Sequence, residues 1–334
     1  VFRIKNVRTT ILPLLEAYEF NFLSRVCRDL KKVIREEKQL WHQSIRLKSL
    51  PTALRGRFWL HCGGVETLVH NTDNQFYYDV LDRAHNAKDM KWADEINFDV
   101  QHIEALLVSS YSIGAEDEDL NGSGQKADFK SRLRNVLYAY ATFDPDLGYC
   151  NGMSQLVGFI LWWLRNVHTS TSEVEQRAFW MLVVIFRHFG LECLYAPGLP
   201  SSMSNSASQI NPQILYTKFN GLLESQLPAL KKHFENESVD FADIYTRWFR
   251  TMFTEFDLIP PSTVARLWDI FFIQGWDSLL NCVIALLSLL EEDLLQLPLE
   301  GILLYLRTIQ QQRPEIYHID PNFLLNMKLA SSLK

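Results

Sequence analysis

Apolar side chains recur at the spacing of an α-helix along almost the whole chain, and this periodicity limits the fold more than any other feature. The clearest stripe consists of Phe129, Leu133, Val136, Leu137, Tyr140 and Phe143, with polar side chains on the other faces. The same period predicts helices over residues 174–189, 214–223, 240–255, 261–273 and 279–297. No convincing run of alternating apolar and polar residues occurs, so the sequence predicts an all-α fold.

Segments that contain Gly, Pro or Ser separate these periodic stretches and predict loops. They lie at residues 114–128, 166–172, 196–212, 258–261 and 274–276. Ser172 and Glu175 have the spacing of a capping box, in which each side chain bonds a backbone N–H group at the start of a helix. We therefore expect the helix over residues 174–189 to begin near Ser172.

Size and composition exclude several classes of protein. The 334 residues are 47% hydrophobic, which is enough for one large core or two packed lobes. A net charge of -6 gives no basic surface for nucleic acid. The five cysteines are scattered, which predicts reduced thiols in the cytoplasm without disulfides or zinc. The apolar runs are too short for a transmembrane helix, and Val1 in place of Met predicts a segment of a longer protein.

Residues 1–50 predict a helical extension with a basic, amphipathic face. Its cations are Arg25, Arg28, Lys31, Lys32 and Arg35. A peripheral contact with acidic membrane lipid is one interpretation. The other, which we favour, is a helix packed on the following domain, because Asp29, Glu36 and Glu37 dilute the positive charge.

An acidic segment between Asp117 and Asp128 resembles a calcium-binding loop. Its candidate ligands are Asp117, Asp119, Asn121, Ser123, Gln125 and Asp128, with Gly122 at the turn position. The last position lacks the bidentate Glu, Gly124 replaces the usual apolar residue, and no second loop of this kind accompanies it. We therefore favour a solvated loop and expect no metal. The histidines show no metal-ligand spacing, and no hydrolase or nucleotide-binding motif occurs.

Three short stretches stand in a specific order. They are LRGRFWLHCGG from Leu54, INFDVQH from Ile96 and GYCNGM from Gly148, and RWFRTMF and ARLWDIFFIQG follow them. In this order the chain resembles the TBC domain of GTPase-activating proteins for Rab GTPases, from about residue 51 to about residue 297. The family patterns RxxxW, IxxDxxR and YxQGM correspond here to Arg55 and Trp59, to Ile96, Asp99 and His102, and to Tyr149, Asn151, Gly152 and Met153.

The resemblance implies a two-lobed TBC domain over residues 51–334, with its core at about 51–297. It also implies a groove lined by the stretches around Arg55, Asp99 to His102 and Tyr149 to Met153. The implied partner is a Rab-family GTPase in its GTP-bound state, and no cofactor is expected. The resemblance also implies a cytoplasmic location, recruitment to membranes by the partner, and a role in vesicle trafficking.

Two departures from the family patterns concern chemistry. The arginine of the second motif and the glutamine of the third are the family's two catalytic fingers, and His102 and Asn151 stand in their places. GTP hydrolysis needs a cation at the transferring phosphoryl group and a group that orients the attacking water. An imidazole is shorter than a guanidinium and carries little charge at neutral pH. Asparagine withdraws its amide by about 1 Å, and a misplacement of that size can cost about a hundredfold in rate.

The remaining motif residues have structural interpretations. Trp59 is expected to anchor a helix, Asp99 to pair with Arg55, and Gly152 to allow a close turn beside the groove. Tyr149 fits either the rim of the groove or the core.

Three hypotheses about function remain open. The first is a protein that binds a Rab GTPase with weak or absent activation of GTP hydrolysis. The second is an atypical activator that uses other residues, for example Arg132 or Arg134. The third is a helical adaptor unrelated to GTPases.

Overall fold

The structure is a computed structural model, and it describes residues 50–87, 91–111, 123–165, 167, 170–195, 212–240, 248–254 and 259–326. The helical extension predicted for residues 1–50 lies outside this part of the chain except for Leu50, as do Asp117, Asp119, Asn121 and Gly122 of the acidic segment. The described residues form helices and turns and contain no strand, so the all-α prediction is confirmed.

The first group of helices carries all three motifs. Its members are α1 (Thr52–Cys62), α2 (Val65–Asn71), α3 (Phe76–Asn86), α4 (Ala93–Tyr111), α5 (Ser123–Phe143), α6 (Met153–Leu164), α7 (Thr171–Val183) and α8 (Glu192–Tyr195). A π-helical turn, Val184–His188, continues α7. Such turns insert an extra residue into a helix and are found frequently at functional sites.

The second group follows residue 211. It comprises α9 (Pro212–Gln226), α10 (Pro228–Asn236), α11 (Pro261–Gln274), α12 (Trp276–Leu294), α13 (Leu299–Arg307), α14 (Ile309–Gln312) and α15 (Pro321–Asn326). A 3₁₀ turn, Pro314–His318, precedes α15. Gly275, with φ +69°, separates α11 from α12 where the sequence predicted a break.

The two groups form two lobes. In the first, α5 packs against α3, α4, α6 and α7. In the second, α12 packs against α9, α11 and α15. The most extensive contact between the groups is that of α1 with α11. The two-lobed arrangement expected from the sequence therefore has its junction at α1, the helix of the first motif.

The apolar runs of the sequence form the centres of the lobes. Nearly every residue of α6 is buried, and α12 buries an apolar face along its length. The buried side chains belong to a single cluster that extends through both lobes. In the described part of the chain no helix is long and apolar enough to cross a membrane.

The predicted capping box at Ser172 and Glu175 is wrong. Helix α7 begins at Thr171, and no side chain caps its first turn. Glu175 instead turns inward and accepts hydrogen bonds from Tyr77 Oη at 3.0 Å and Asn135 Nδ2 at 3.3 Å. The buried Tyr77 hydroxyl needs an acceptor, and this requirement outweighs the local preference of the helix end.

Two predicted boundaries also require correction. The helix predicted over 240–255 does not reach its end, because residues 249–253 form turns in which Met252 and Phe253 have φ of 47° and 63°. The regular spacing of Trp248, Phe249 and Phe253 reflects burial in this turn. The loop predicted over 114–128 ends earlier than expected, because α5 begins at Ser123.

Candidate functional site

The third motif forms a tight connection between α5 and α6. Gly148 and Gly152 have φ of 66° and 101°, a region that favours glycine. A Cβ atom on Gly148 would lie 2.2 Å from the Trp92 ring, and one on Gly152 would lie 3.1 Å from Tyr195 Oη. The close turn predicted at Gly152 is therefore present. Asn151 is exposed, next to this glycine.

Tyr149 and Asp99 join the third motif to the second. Tyr149 is 5% exposed, and its hydroxyl donates a hydrogen bond to Asp99 Oδ2 on α4. Burial and the bond to Asp99 raise the pKa of Tyr149, so the phenol remains a proton donor at neutral pH. Of the two interpretations of Tyr149, the buried one is correct, although the hydroxyl serves the site by holding Asp99.

His102 lies three residues after Asp99, on a neighbouring part of the same helix. Its Nδ1 is 2.7 Å from the carbonyl oxygen of Phe98, and its ring packs on the Phe98 ring at a centroid distance of 4.1 Å. Because a carbonyl oxygen can only accept, Nδ1 carries the hydrogen and Nε2 is an acceptor when the ring is neutral. His102 is exposed, and Phe98 is 62% exposed.

The predicted pair between Arg55 and Asp99 is wrong. Arg55 Nε lies 3.0 Å from each carboxylate oxygen of Asp269 on α11, and Arg55 Nη2 donates to the Leu50 carbonyl at 3.2 Å. Asp99 was the nearest acidic residue in the motif set, but α1 packs against α11, which presents Asp269 to Arg55.

Trp59 is anchored as expected, by the same carboxylate. Its Nε1 donates to Asp269 Oδ1 at 2.7 Å, and its ring packs against Trp268 at 5.2 Å and Phe159 at 5.8 Å. Burial raises the pKa of Asp269 to about 6, while the charge of Arg55 and the bond from Trp59 act in the opposite direction. Arg55, Trp59 and Asp269, here called the interlobe lock, join the two lobes.

The structure thus separates the predicted site residues into two sets. Asp99, His102, Tyr149, Asn151 and Gly152 lie at the junction of α4 with the connection before α6, and they are called the groove residues below. Arg55 and Trp59 belong to the interlobe lock. Met153 is buried, and its sulfur accepts the Cys150 N–H at 3.4 Å, so it supports the turn from below.

The sequence interpretation missed Tyr195, Arg250 and Thr251. Tyr195 Oη donates to the Arg250 carbonyl at 2.8 Å, and the Arg250 guanidinium lies over the Tyr195 ring, 4.3 Å from its centroid. The Thr251 methyl group lies 3.3 Å from the Cβ position of Gly152. The signal in the sequence was Arg250 within the aromatic stretch RWFRTMF, because charged side chains are rarely found in buried helices.

An ion-pair cluster holds the elements around this turn. Arg187, in the π-helical turn, pairs with Asp144 at 2.7 Å and with Glu192 at 3.0 Å. Asp144 lies just before the third motif, and its carbonyl oxygen accepts the Gly148 N–H at 2.7 Å. Glu192 begins α8, which carries Tyr195. The cluster therefore couples the position of Tyr195 to the connection that presents Asn151.

Burial and two nearby charges shift the pKa of Cys150. Burial raises the pKa of its thiol, the Glu95 carboxylate adds to this effect, and the Arg250 guanidinium opposes it. The first turn of α4, the third motif and the segment around Arg250 therefore converge beside Asn151.

The arginines considered as substitutes, Arg132 and Arg134, point elsewhere. Arg132 pairs with Asp128 in the preceding turn of α5. Arg134 Nε donates to Asn97 Oδ1 at 2.7 Å. Asn97 lies on the opposite face of α4 from Asp99 and His102, because successive helical residues are rotated by about 100°. Neither arginine therefore belongs to the groove residues. Within the described ranges, no group of three His, Cys, Asp or Glu side chains could hold a metal ion.

Comparisons with known proteins agree with the order of the motifs. The model of the family "Rab-GTPase-TBC domain" matches residues 52–295. TBC1 domain family member 10A of Mus musculus is 29% identical over 240 residues, which are 70% of this chain and 40% of that protein. TBC1 domain family member 2B of Homo sapiens is 32% identical over 166 residues, 50% of this chain and 15% of that protein. The chain spans less than half the length of these relatives.

Solved structures support the fold. The Chlamydomonas flagellar RabGAP TBC domain superposes with a TM-score of 0.60 at 20% identity, covering 97% of this chain and 94% of that one. The Ypt/Rab-GAP domain of Gyp1p superposes with a TM-score of 0.59 at 16% identity, and the superposition covers 86% of this chain and 89% of that one. Because the family model matches more than half of the chain, the chain belongs to the Rab-GTPase-TBC domain family.

Proposed function

We propose that this chain binds a Rab-family GTPase in its GTP-bound state through the groove residues, and that it accelerates GTP hydrolysis weakly or not at all. The observation that carries the proposal is the exposure of His102 and Asn151 on two elements joined by the Tyr149 to Asp99 hydrogen bond. The pair occupies the positions of the family's two catalytic fingers, on a scaffold that the motif residues hold in place.

A docking surface is available beside these positions. Phe98 is 62% exposed on α4, one turn before His102, and its ring contacts the imidazole at a tilt of 36° between the ring planes. Exposed aromatic side chains of this kind supply apolar contact area in protein interfaces. Similarity to the Rab GTPase-activating protein eat-17 of Caenorhabditis elegans, which is 29% identical over 198 residues, supports a Rab GTPase as the partner.

The hydrogen bonding of His102 supports weak activation. Its Nδ1 hydrogen is used by the Phe98 carbonyl oxygen, so the neutral ring would meet a phosphate with the lone pair of Nε2. A lone pair repels a phosphate oxygen, whereas an arginine presents several N–H donors and a permanent charge, worth about three to five powers of ten in rate. The shorter amide of Asn151 adds a second loss.

The alternative is a genuine but atypical activator that uses other residues. The position of Arg250 over Tyr195, beside the third motif, favours this alternative over one based on Arg132 or Arg134. In either case the hydrolase is the bound GTPase and not this chain, and the chain takes no cofactor. We further propose that residues 51–334 form the TBC domain, with residues 1–50 as a helical extension, in a cytoplasmic protein recruited to membranes by its partner.

A panel of purified Rab GTPases separates binding from activation. Each GTPase is loaded with a non-hydrolysable GTP analogue or with GDP for binding, and with GTP for phosphate release. We expect at least one member to bind in the analogue-loaded state and to show little stimulation. His102→Arg combined with Asn151→Gln should then raise the rate by at least about a hundredfold.

Arg83→Met serves as the charge control, because Arg83 is exposed on α3. Failure of every GTPase to bind would leave the adaptor interpretation and contradict the proposal. Full stimulation by the unmodified chain, retained in His102→Ala and in Asn151→Ala, would contradict the assignment of these two positions.

A further inference from the structure

The segment that carries Arg250 is a rigid platform beside the third motif. Trp248, Phe249, Met252 and Phe253 are all at most 2% exposed. The Met252 carbonyl oxygen accepts the Trp268 Nε1–H at 3.0 Å. The backbone on either side of Arg250 is therefore tied into the core of the second lobe.

The backbone of this platform is strained. Met252 and Phe253 adopt left-handed conformations with φ of 47° and 63°, although neither is glycine. Such conformations cost on the order of 1–3 kcal/mol each and are maintained only where the surroundings enforce them, commonly at functional sites. The helix ends at Trp248, and residues 249–253 form the turn that contains Arg250.

Arg250 is half-buried, and part of its guanidinium group is out of contact with water. Its Nε is buried and has no hydrogen-bond acceptor. Arg55, Arg187 and Arg313 each pair with at least one carboxylate, whereas no carboxylate among the described residues pairs with Arg250. The Tyr195 ring holds the guanidinium in place by a cation–π contact without neutralising its charge. A planar fork held in this way is suited to an oxyanion that arrives from outside.

Short contacts connect Arg250 to Asn151. The Tyr195 ring contacts the Arg250 guanidinium, and the Tyr195 hydroxyl lies 3.1 Å from the position that a Cβ atom on Gly152, the residue after Asn151, would occupy. The Thr251 methyl group lies 3.3 Å from the same position. The charge of Arg250 also lowers the pKa of Cys150, the residue before Asn151, against the larger effect of burial. Arg250 and Asn151 therefore border one site.

We infer that Arg250 is a catalytic residue of this site and supplies the positive charge at the γ-phosphate of the docked GTPase that His102 does not supply. The inference rests on the proposed function, because it requires the GTPase to bind at the groove residues. Its consequence is specific: the defect that limits hydrolysis is the short amide of Asn151, and not the lack of a cation.

The reaction that Arg250 assists takes place on the partner's nucleotide. The oxygen of water attacks the γ-phosphorus, the bond from this phosphorus to the bridging oxygen breaks, and GDP, inorganic phosphate and a proton are released. Arg250 forms no bond and exchanges no proton. Its guanidinium stabilises negative charge on the phosphoryl oxygens as the bond breaks.

The test uses four variants of the full chain, each compared with the unmodified protein. They are Asn151→Gln alone, Asn151→Gln with Arg250→Met, Asn151→Gln with Arg250→Lys, and Asn151→Gln with Arg83→Met as the matched charge control. For each one, affinity for the analogue-loaded GTPase and phosphate release from the GTP-loaded GTPase are measured. Circular dichroism during heating verifies that each variant folds.

We expect Asn151→Gln alone to raise the rate at least about tenfold, with His102 unchanged. Adding Arg250→Met should lower that rate at least about tenfold, to the rate of the GTPase alone, and change affinity by less than tenfold, because the charge acts mainly in the transition state. Arg250→Lys should fall between them, since it keeps the charge and loses the fork. Arg83→Met should have no effect.

Two results would overturn the inference while leaving the proposed binding intact. One is a rate for Asn151→Gln that Arg250→Met does not change. The other is an inactive Asn151→Gln that becomes active only when His102→Arg is added. If Arg250→Met unfolds the chain, the Lys variant decides, because it preserves the cation–π contact and must still lower the rate. Absence of binding to every GTPase would instead refute the proposed function, and the inference with it.

Discussion

Replacing Arg55 by Met tests whether the interlobe lock is the ionic connection that the geometry indicates. The substitution keeps an unbranched side chain of similar length and removes the charge. Asp269, which is 0% exposed, would lose both contacts with Arg55 Nε and retain only the bond from Trp59. Breaking a buried ion pair by removing one partner costs about 3–5 kcal/mol. That is a large part of the roughly 5–15 kcal/mol by which a domain is stable.

The loss should depend on pH, with a sign that follows from the carboxylate. Burial raises the pKa of Asp269 above an ordinary 3.8, and Arg55, Trp59 and Arg266 act against burial, so that the pKa is about 6. Without Arg55 the folded-state pKa rises further, so the variant loses stability as pH rises through that higher value. Near pH 5 both folded proteins carry a proton on Asp269, and this part of the difference disappears. The loss should therefore be at least about 1.4 kcal/mol larger at pH 8 than at pH 5, one unit of pKa being worth that much.

Urea denaturation followed by circular dichroism at pH 5 and pH 8 measures both quantities. Lys218→Met is the matched control, because Lys218 pairs with Asp277 at 2.6 Å while both side chains are more than 40% exposed. An exposed pair contributes about 0–1 kcal/mol. Adding Asp269→Leu to Arg55→Met should restore much of the stability, since no buried charge remains unpaired. A loss no greater than that of Lys218→Met, or one of equal size at both pH values, would refute this account of the lock.

Three further predictions concern the groove. Gly152→Ala should destabilise the fold by about 1–3 kcal/mol in thermal unfolding, because alanine is strained at φ 101°. The control Gly221→Ala, at a helical glycine with open space around it, should stabilise the fold by up to about 1 kcal/mol. Equal effects of the two substitutions would contradict the turn geometry. Tyr149→Phe should cost about 1–3 kcal/mol by removing the donor to Asp99, and urea denaturation giving no change would show that this bond does not join the motifs. Phe98→Ser should leave stability within about 0.5 kcal/mol and weaken binding of the analogue-loaded GTPase in calorimetry, and unaltered affinity would remove Phe98 from the interface.

The helical architecture could be predicted because the apolar period of each long helix agrees with its burial. The stripe from Phe129 to Phe143 lies in α5. The period failed around residue 250 for a physical reason: Trp248, Phe249 and Phe253 are buried by a turn, and burial produces the same spacing in a short segment. Sequence periodicity records which side chains are buried, and only over several turns does it also identify the helix.

The groove could be predicted only in part. Asp99, Tyr149, Asn151 and Gly152 belong to two motifs whose elements meet, and the structure brings them together. The partner of Arg55 was chosen wrongly because Asp269 lies 214 residues away in the chain. Arg250 was missed for the same reason, since its neighbours Tyr195 and Gly152 come from distant segments. Contacts between residues far apart in the chain leave no local pattern in the sequence. These contacts determine which charged side chains form ion pairs.

Under the proposed function, the positions of the lock and the groove residues explain how the fold persists when the family's two catalytic fingers are replaced. Arg55, Trp59 and Asp269 are buried at the junction of the lobes, where a single change removes several kcal/mol. His102 and Asn151 are exposed, where most substitutions change stability by about 0.5 kcal/mol or less. Arg55 and Trp59 of the first motif therefore have a structural role, which is to join the two lobes. Whether a protein of this family activates a GTPase has to be judged from the exposed positions and from nearby cations such as Arg250, whose Nε has no hydrogen-bond acceptor among the described residues.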